Sequence, residues 1–198
     1  MTTIALPAPS LPAARPGDVD NRGAYISFGL AYVLGHGANA LSQGDHPLLA
    51  LPGWLPTTLL GAGFAAGTYY AARGAARAQR GADRPGLLAG KLLGLSWLSA
   101  FVALYLAITG LSAAVDAPDL QTLLWPAGSG LVVGLLYLGE GVARRNLVHY
   151  CLGTWIALIS TMGLFLGSPG LFWMLTIAGG SGYAVAAVFE RRRLATTR

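Results

Sequence analysis

Six apolar stretches dominate this chain, at residues 24–43, 54–73, 90–111, 122–140, 147–167 and 170–189. Each comes near the roughly 20 residues that an α-helix needs to cross about 30 Å of hydrocarbon. No Asp or Glu falls in the middle of any of them. Backbone in lipid must satisfy its own hydrogen bonds, so apolar stretches of this length span as helices. Composition points the same way: 54% of residues are hydrophobic and 11% are charged, against about 25% charged in a soluble domain. The sequence predicts an all-α polytopic membrane protein with six transmembrane helices over residues 23–190.

The charges predict an orientation. All 13 Lys and Arg lie before span 1, between spans 2 and 3, between spans 4 and 5, or after span 6. The alternate loops hold Asp45, His46, Asp116 and Asp119 and no basic residue. Lys/Arg-rich short loops stay in the cytoplasm. The chain is therefore expected to be a multi-pass cell-membrane protein with both termini cytoplasmic. Its excess of positive charge belongs to topology and to the lipid bilayer as partner, and no nucleic-acid partner is expected. Residues 1–22, with Pro7, Pro9, Pro12 and Pro16, read as a flexible cytoplasmic tail without the basic start and apolar core of a signal peptide. Residues 191–198 read as a basic cytoplasmic tail. Glu140 and Glu190, each next to arginines, read as end caps or ion pairs at the lipid surface. The single cysteine, Cys151, reads as a small core residue near the cytoplasmic end of span 5.

Within the apolar stretches a pattern recurs. Gly61-Ala62-Gly63, Gly128-Ser129-Gly130 and Gly180-Ser181-Gly182 align, and each is followed four residues after its last glycine by Gly67, Gly134 or Ala186. The odd spans echo one another at Phe28-Gly29, Leu93-Gly94 and Leu152-Gly153. The chain thus reads as three helical hairpins in the same orientation. Helices in lipid associate through close backbone approach, which small residues four apart permit. The even helices are expected to pack through these strips, around an axis or against their own odd partners. The turn Gly167-Ser168-Pro169-Gly170 is short enough to make spans 5 and 6 antiparallel neighbours, and Trp125-Pro126 is expected to open span 4.

Little catalytic chemistry is visible. The sequence has no CxxC, no HExxH and no paired Cys/His spacing, so neither a metal nor another cofactor is expected. The GxG triplets sit inside apolar spans without a preceding strand or a GK[ST], which excludes phosphate loops. His36 lies about 12 residues into span 1, roughly 18 Å along its axis. Asn39 follows three residues later on the same helix face. Polar groups at this depth face the protein interior or a cavity. His36, Asn39, Ser129, Ser160 and Ser181 are the candidate ligand-binding residues, set against the simpler reading that the hydroxyls bond back to their own helices.

The stretches LLWPAGSGLVVGLLYLGEG and LGTWIALISTMGLFLGSPG resemble those of small six-span bacterial integral membrane proteins described as permease-like. The resemblance brings no catalytic or binding residues with it, and the functional expectation comes instead from the lack of buried charge beside a small-residue interior. The expected function is binding or passage of a small uncharged or apolar molecule, alone or as the membrane subunit of a larger transporter. One alternative is a non-transporting subunit, packed against a membrane partner or a second copy, with a solid interior. Another is a lipid-modifying enzyme, which predicts that His149, Glu140 and Arg144 or Arg145 converge in a cytoplasm-facing cleft.

Overall fold

The computed structural model describes residues 19–80 and 82–196, and among them there is no β-strand. Six helical rods follow one another in the described residues: α1 (22–42), α2 (Trp54–Ala78), α3 (Arg84–Ala114), α4 (118–143), α5 (147–166) and α6 (167–196). Three helical stretches are by themselves long and apolar enough to cross a membrane: Arg84–Ala114, Pro118–Ala143 and Leu147–Ala195. The last of these is α5 and α6 together, and it is folded back on itself. Gly167 takes φ +60° and Ser168 is non-helical. Trp155 Nε1 donates to Ala178 O at 2.7 Å, although 23 residues of straight helix would hold these positions roughly 35 Å apart.

Local chemistry sets the helix ends. Asp83 caps α3 by accepting from Gly86 N at 3.0 Å, with Pro85 in the first turn where no N–H is needed. Asn146 caps α5 by accepting from His149 N at 3.1 Å. Pro56 sits in the first turn of α2. Span 4 does not open at Trp125-Pro126. Its helix begins earlier, at a 3₁₀ turn over Pro118–Leu120, and continues through Pro126. Proline offers no N–H, so the Thr122 carbonyl four residues back loses its intrahelical donor.

The rods pack antiparallel in the order α2, α1, α6, α5, α4, α3. The tightest junction is α4 on α5. A Cβ on Gly134 would lie 2.6 Å from both Gly153 O and Ala157 N, and one on Gly141 would lie 2.7 Å from Tyr150 N. The small-residue strips all face helices, but not alike. Gly63 and Gly67 lie against Ala31 and Phe28 of α1, and Gly182 lies against Trp155 and Leu152 of α5, each strip on its own odd partner. The middle strip, Gly130 and Gly134, turns instead to Ser160 and Ala157 of α5. α3 is the most peripheral rod, with only Ile108 and Ser112 buried. It touches α2 at the basic end, where Gln79 lies on Gly90.

Two π-helical segments, Ala31–His36 in α1 and Leu175–Gly179 in α6, cross each other. The Tyr32 ring rests on Gly179, and Val33 on Gly180. Such wide turns commonly mark functional positions in helices. Tyr25, Tyr32, Ile156, Leu171, Leu175 and Tyr183 form the buried centre.

Several expectations are corrected. Cys151 is exposed on the outer face of α5, because residues 152, 153, 156 and 157 take the inward face. Glu190 is fully buried rather than at a lipid surface: it accepts from Asn21 N at 3.1 Å and from Arg193 Nε at 2.8 Å. Arg193 also donates to Val19 O at 2.8 Å. Residues 19–22 are thereby held against α6 and do not hang free, while the rest of the expected N-terminal tail, 1–18, lies outside the described residues. α6 continues as helix through 191–196 of the expected C-terminal tail.

Candidate functional site

The arc of helices borders a half-open cavity of about 800 Å³ between α1, α2, α3 and α4, with one wall from α6. Its size falls in the range of small-molecule pockets. Aromatic rings dominate the walls, among them Phe28, Tyr32, Phe64, Trp97, Phe101 and Phe172. No Asp, Glu, Lys or Arg is among the described lining residues. Polar groups concentrate toward the end of the bundle that carries the acidic loops: Asn39 from α1, Gln43 just past its end, and Gln121 and Thr122 from α4.

His36 is the one imidazole among the described lining residues. It is buried, and its Nδ1 has no hydrogen-bond partner among the described residues. Its ring sits edge-on to Tyr32, centroids 5.0 Å apart, and 6.2 Å from Phe172. An unmet buried polar atom costs about 1–3 kcal/mol, and this nitrogen carries that cost inside the packed wall, with almost no surface open to the cavity. Asn39 lines the same cavity. It donates to Gly35 O at 3.3 Å and accepts from Gln43 Nε2 at 2.7 Å.

Toward the basic end a second cavity, of about 350 Å³, follows the first. The two share Phe28, Thr68, Trp97 and Tyr137, which form a septum between them. Trp97 Nε1 donates to Glu140 Oε1 at 2.9 Å, so a carboxylate of the second cavity holds an aromatic of the septum. Glu140 is thus a half-buried tertiary anchor and not a surface cap. Arg144 Nε stands 3.7 Å and His149 Nε2 3.6 Å from Glu140 Oε2. Tyr25 OH lies 2.7 Å from His149 Nδ1. Of the two neutral tautomers, the one protonated on Nε2 sets a donor opposite an acceptor on both sides: Tyr25 donates to Nδ1, and Nε2–H faces Glu140. The Tyr137 ring lies against the same imidazole at a 35° tilt, centroids 4.1 Å apart. His149, Glu140 and Arg144 all line this cavity, whereas Arg145 does not.

The five candidate residues separate. His36, Asn39 and Ser129 line the large cavity together. Ser160 is fully buried behind Gly130, which sits directly on its Oγ and screens it from the cavity. Ser181 is exposed on the outer α5/α6 face and donates back to Ala178 O at 3.1 Å, the self-satisfied arrangement. Sequence reasoning missed Gln43, Gln121, Trp97 and Tyr25. Gln43 and Gln121 are polar residues at apolar-span ends, a signal that was there to be read, but only the fold brings them to one cavity. No group of three or more His, Cys, Asp or Glu that could hold a metal occurs among the described residues.

No family model, curated protein or solved structure matches this chain.

Proposed function

We propose that this chain is a six-span membrane protein that binds a small, uncharged, largely apolar molecule in the larger cavity and passes it toward the basic end. The observation that carries this reading is the pair of cavities in series across an aromatic septum, the larger with no charged side chain among its described lining residues and with His36 in its wall. An occupant with an apolar body would meet the rings of Phe64, Phe101 and Phe172. Its single polar atom would meet the polar end formed by Asn39, Gln43, Gln121 and Thr122. Passage needs the septum to open, and the Trp97–Glu140 hydrogen bond is the latch. The alternative of a non-transporting subunit calls for a solid interior, and the cavities speak against it. The six crossings, the cytoplasmic location of both basic ends, and the three-hairpin repeat belong to this proposal. They are supported by the alternation of basic and acidic loops and by the strips of α2 and α6 on their own odd partners.

The test uses N-phenyl-1-naphthylamine, an uncharged apolar fluorophore, with the purified protein in detergent and in liposomes. Energy transfer from Trp97 and Trp125 reports occupancy. Ser129→Phe should abolish saturable transfer by filling the cavity, and Glu140→Ala should raise flux by releasing Trp97. Non-saturable transfer that Ser129→Phe leaves unchanged sinks the reading. For the crossings, single cysteines placed at 46, 80 and 116 in a Cys151→Ala background are labelled in intact cells with an impermeant maleimide. Positions 46 and 116 should label and 80 should not.

A second reading, a lipid-modifying enzyme, rests on the convergence of His149, Glu140 and Arg144 in the smaller cavity. Loss of flux in His149→Ala does not separate the readings. Turnover of added phospholipid by the wild type, abolished in His149→Ala, would favour the enzyme.

A further inference from the structure

Outside both cavities, a groove of about 900 Å³ opens at the basic end, between the start of α1 and the ends of α2 and α6. Arg22, Arg73, Arg77 and Arg191 line it, with Asp20 as the one carboxylate among the described lining residues. Asp20 is already committed. Arg22 Nε and Nη2 reach its two oxygens at 3.0 and 2.8 Å, and this hydrogen-bonded guanidinium holds the Asp20 carboxyl below its ordinary range. Arg73 donates to Tyr69 OH at 3.2 Å. No salt bridge of Arg77 or Arg191 occurs among the described residues, whose ion pairs fall on Arg22, Arg144, His149 and Arg193. Arg73 and Arg77 are four apart, hence on one face of α2, and Arg191 faces them from α6. Like charges gathered from three helices repel unless an anion joins them. Planar guanidinium forks match the oxygens of a phosphate.

What lies beyond the arginines chooses the source of the phosphate. Ile26, Tyr70 and Val188 line the same groove and are about half exposed. From Ile26 the apolar track continues along α1 through the exposed Leu30 and Val33, at helical spacing, away from the charged end. A soluble anion has no use for such a track, whereas acyl chains do. We propose that this groove binds the phosphodiester headgroup of an anionic phospholipid, with its acyl chains lying along Ile26, Leu30 and Val33. Basic pockets between helices at the cytoplasmic face have the physical character for this. The site rests on the membrane reading and is independent of transport through the cavities.

The experiment titrates phosphatidylglycerol or phosphatidylcholine into the full chain purified in a neutral detergent and follows thermal unfolding. Phosphatidylglycerol should stabilise the wild type saturably and phosphatidylcholine should not. Arg77→Gln with Arg191→Gln should weaken the phosphatidylglycerol midpoint roughly tenfold or more. Arg84→Gln with Lys91→Gln removes the same charge outside the groove and should leave the midpoint unchanged. Arg77→Lys with Arg191→Lys keeps the charge, loses the fork, and should fall between. Equal weakening by both charge-removing pairs means diffuse attraction only and overturns the proposal. Equal stabilisation by inorganic phosphate or glycerol phosphate assigns the groove to a soluble anion and overturns it as well. A chain that stays monodisperse without detergent defeats the membrane reading itself.

Discussion

Gly134 and Gly139 stand five residues apart in α4, and adding one methyl group to each should act in opposite directions. At Gly134 the new Cβ would lie 2.6 Å from Gly153 O, 2.6 Å from Ala157 N and 2.7 Å from Ala157 Cβ. Non-bonded carbon contacts settle near 3.5–4.0 Å, so α4 and α5 must separate by about 1 Å at their closest crossing. The obstructing atoms are mostly backbone, which cannot rotate aside. Overpacking of this kind costs about 1–3 kcal/mol, and more where nothing yields. Replacing glycine by alanine within a helix returns up to about 1 kcal/mol. Gly134→Ala should therefore destabilise by roughly 2 kcal/mol. At Gly139 no atom lies within 4 Å of the added Cβ, so only the helix-propensity gain remains, and Gly139→Ala should be neutral or more stable. Reversible unfolding in mixed micelles, titrated with sodium dodecyl sulfate, measures both. Equal midpoints for the two variants, or a more stable Gly134→Ala, would refute the account of α4 and α5 as a backbone-to-backbone junction.

Two further variants probe the buried polar contacts. Glu190→Ala leaves Arg193 and the Asn21 amide without their carboxylate and should cost about 3 kcal/mol. Glu190→Gln, which keeps an acceptor for Asn21 N, should fall between it and the wild type in the same unfolding titration. In Tyr25→Phe, His149 Nδ1 loses its 2.7 Å partner. The loss should be about 1 kcal/mol, with a shift of tautomer visible in the ¹⁵N resonances of His149. An unchanged ¹⁵N spectrum would show that Tyr25 does not set the imidazole.

How far the site could be read from the residues follows the range of the interaction involved. His36 and Asn39 meet one cavity because they sit three apart on one helix, a relation within reach of spacing alone. Ser129 and Ser181 occupy the same place in the repeating triplet, yet one faces the cavity and the other the outside. The triplet marks depth along a helix and says nothing of its rotation. Rotation differs because α4 turns its glycines to α5, whereas α6 turns Gly182 to Trp155. Cys151 and Glu190 were misjudged for a related reason. Hydropathy does not distinguish an apolar face toward lipid from one toward protein, and the glutamate's burial depends on an arginine and a backbone amide from opposite ends of the chain.

By itself the sequence determined the helical class, the approximate limits of the six rods, the reversal between α5 and α6, and the segregation of basic from acidic loops. Each of these depends on residues a few positions apart or on total apolar length. Only the tertiary structure decided which helices are neighbours, that α3 stands at the edge, and that two cavities meet at Phe28, Trp97 and Tyr137. In an environment as apolar as the helices themselves, no hydrophobic pattern selects the partner face. That choice falls to close packing of small residues and to a few buried hydrogen bonds, both of which exist only once distant stretches of chain have met.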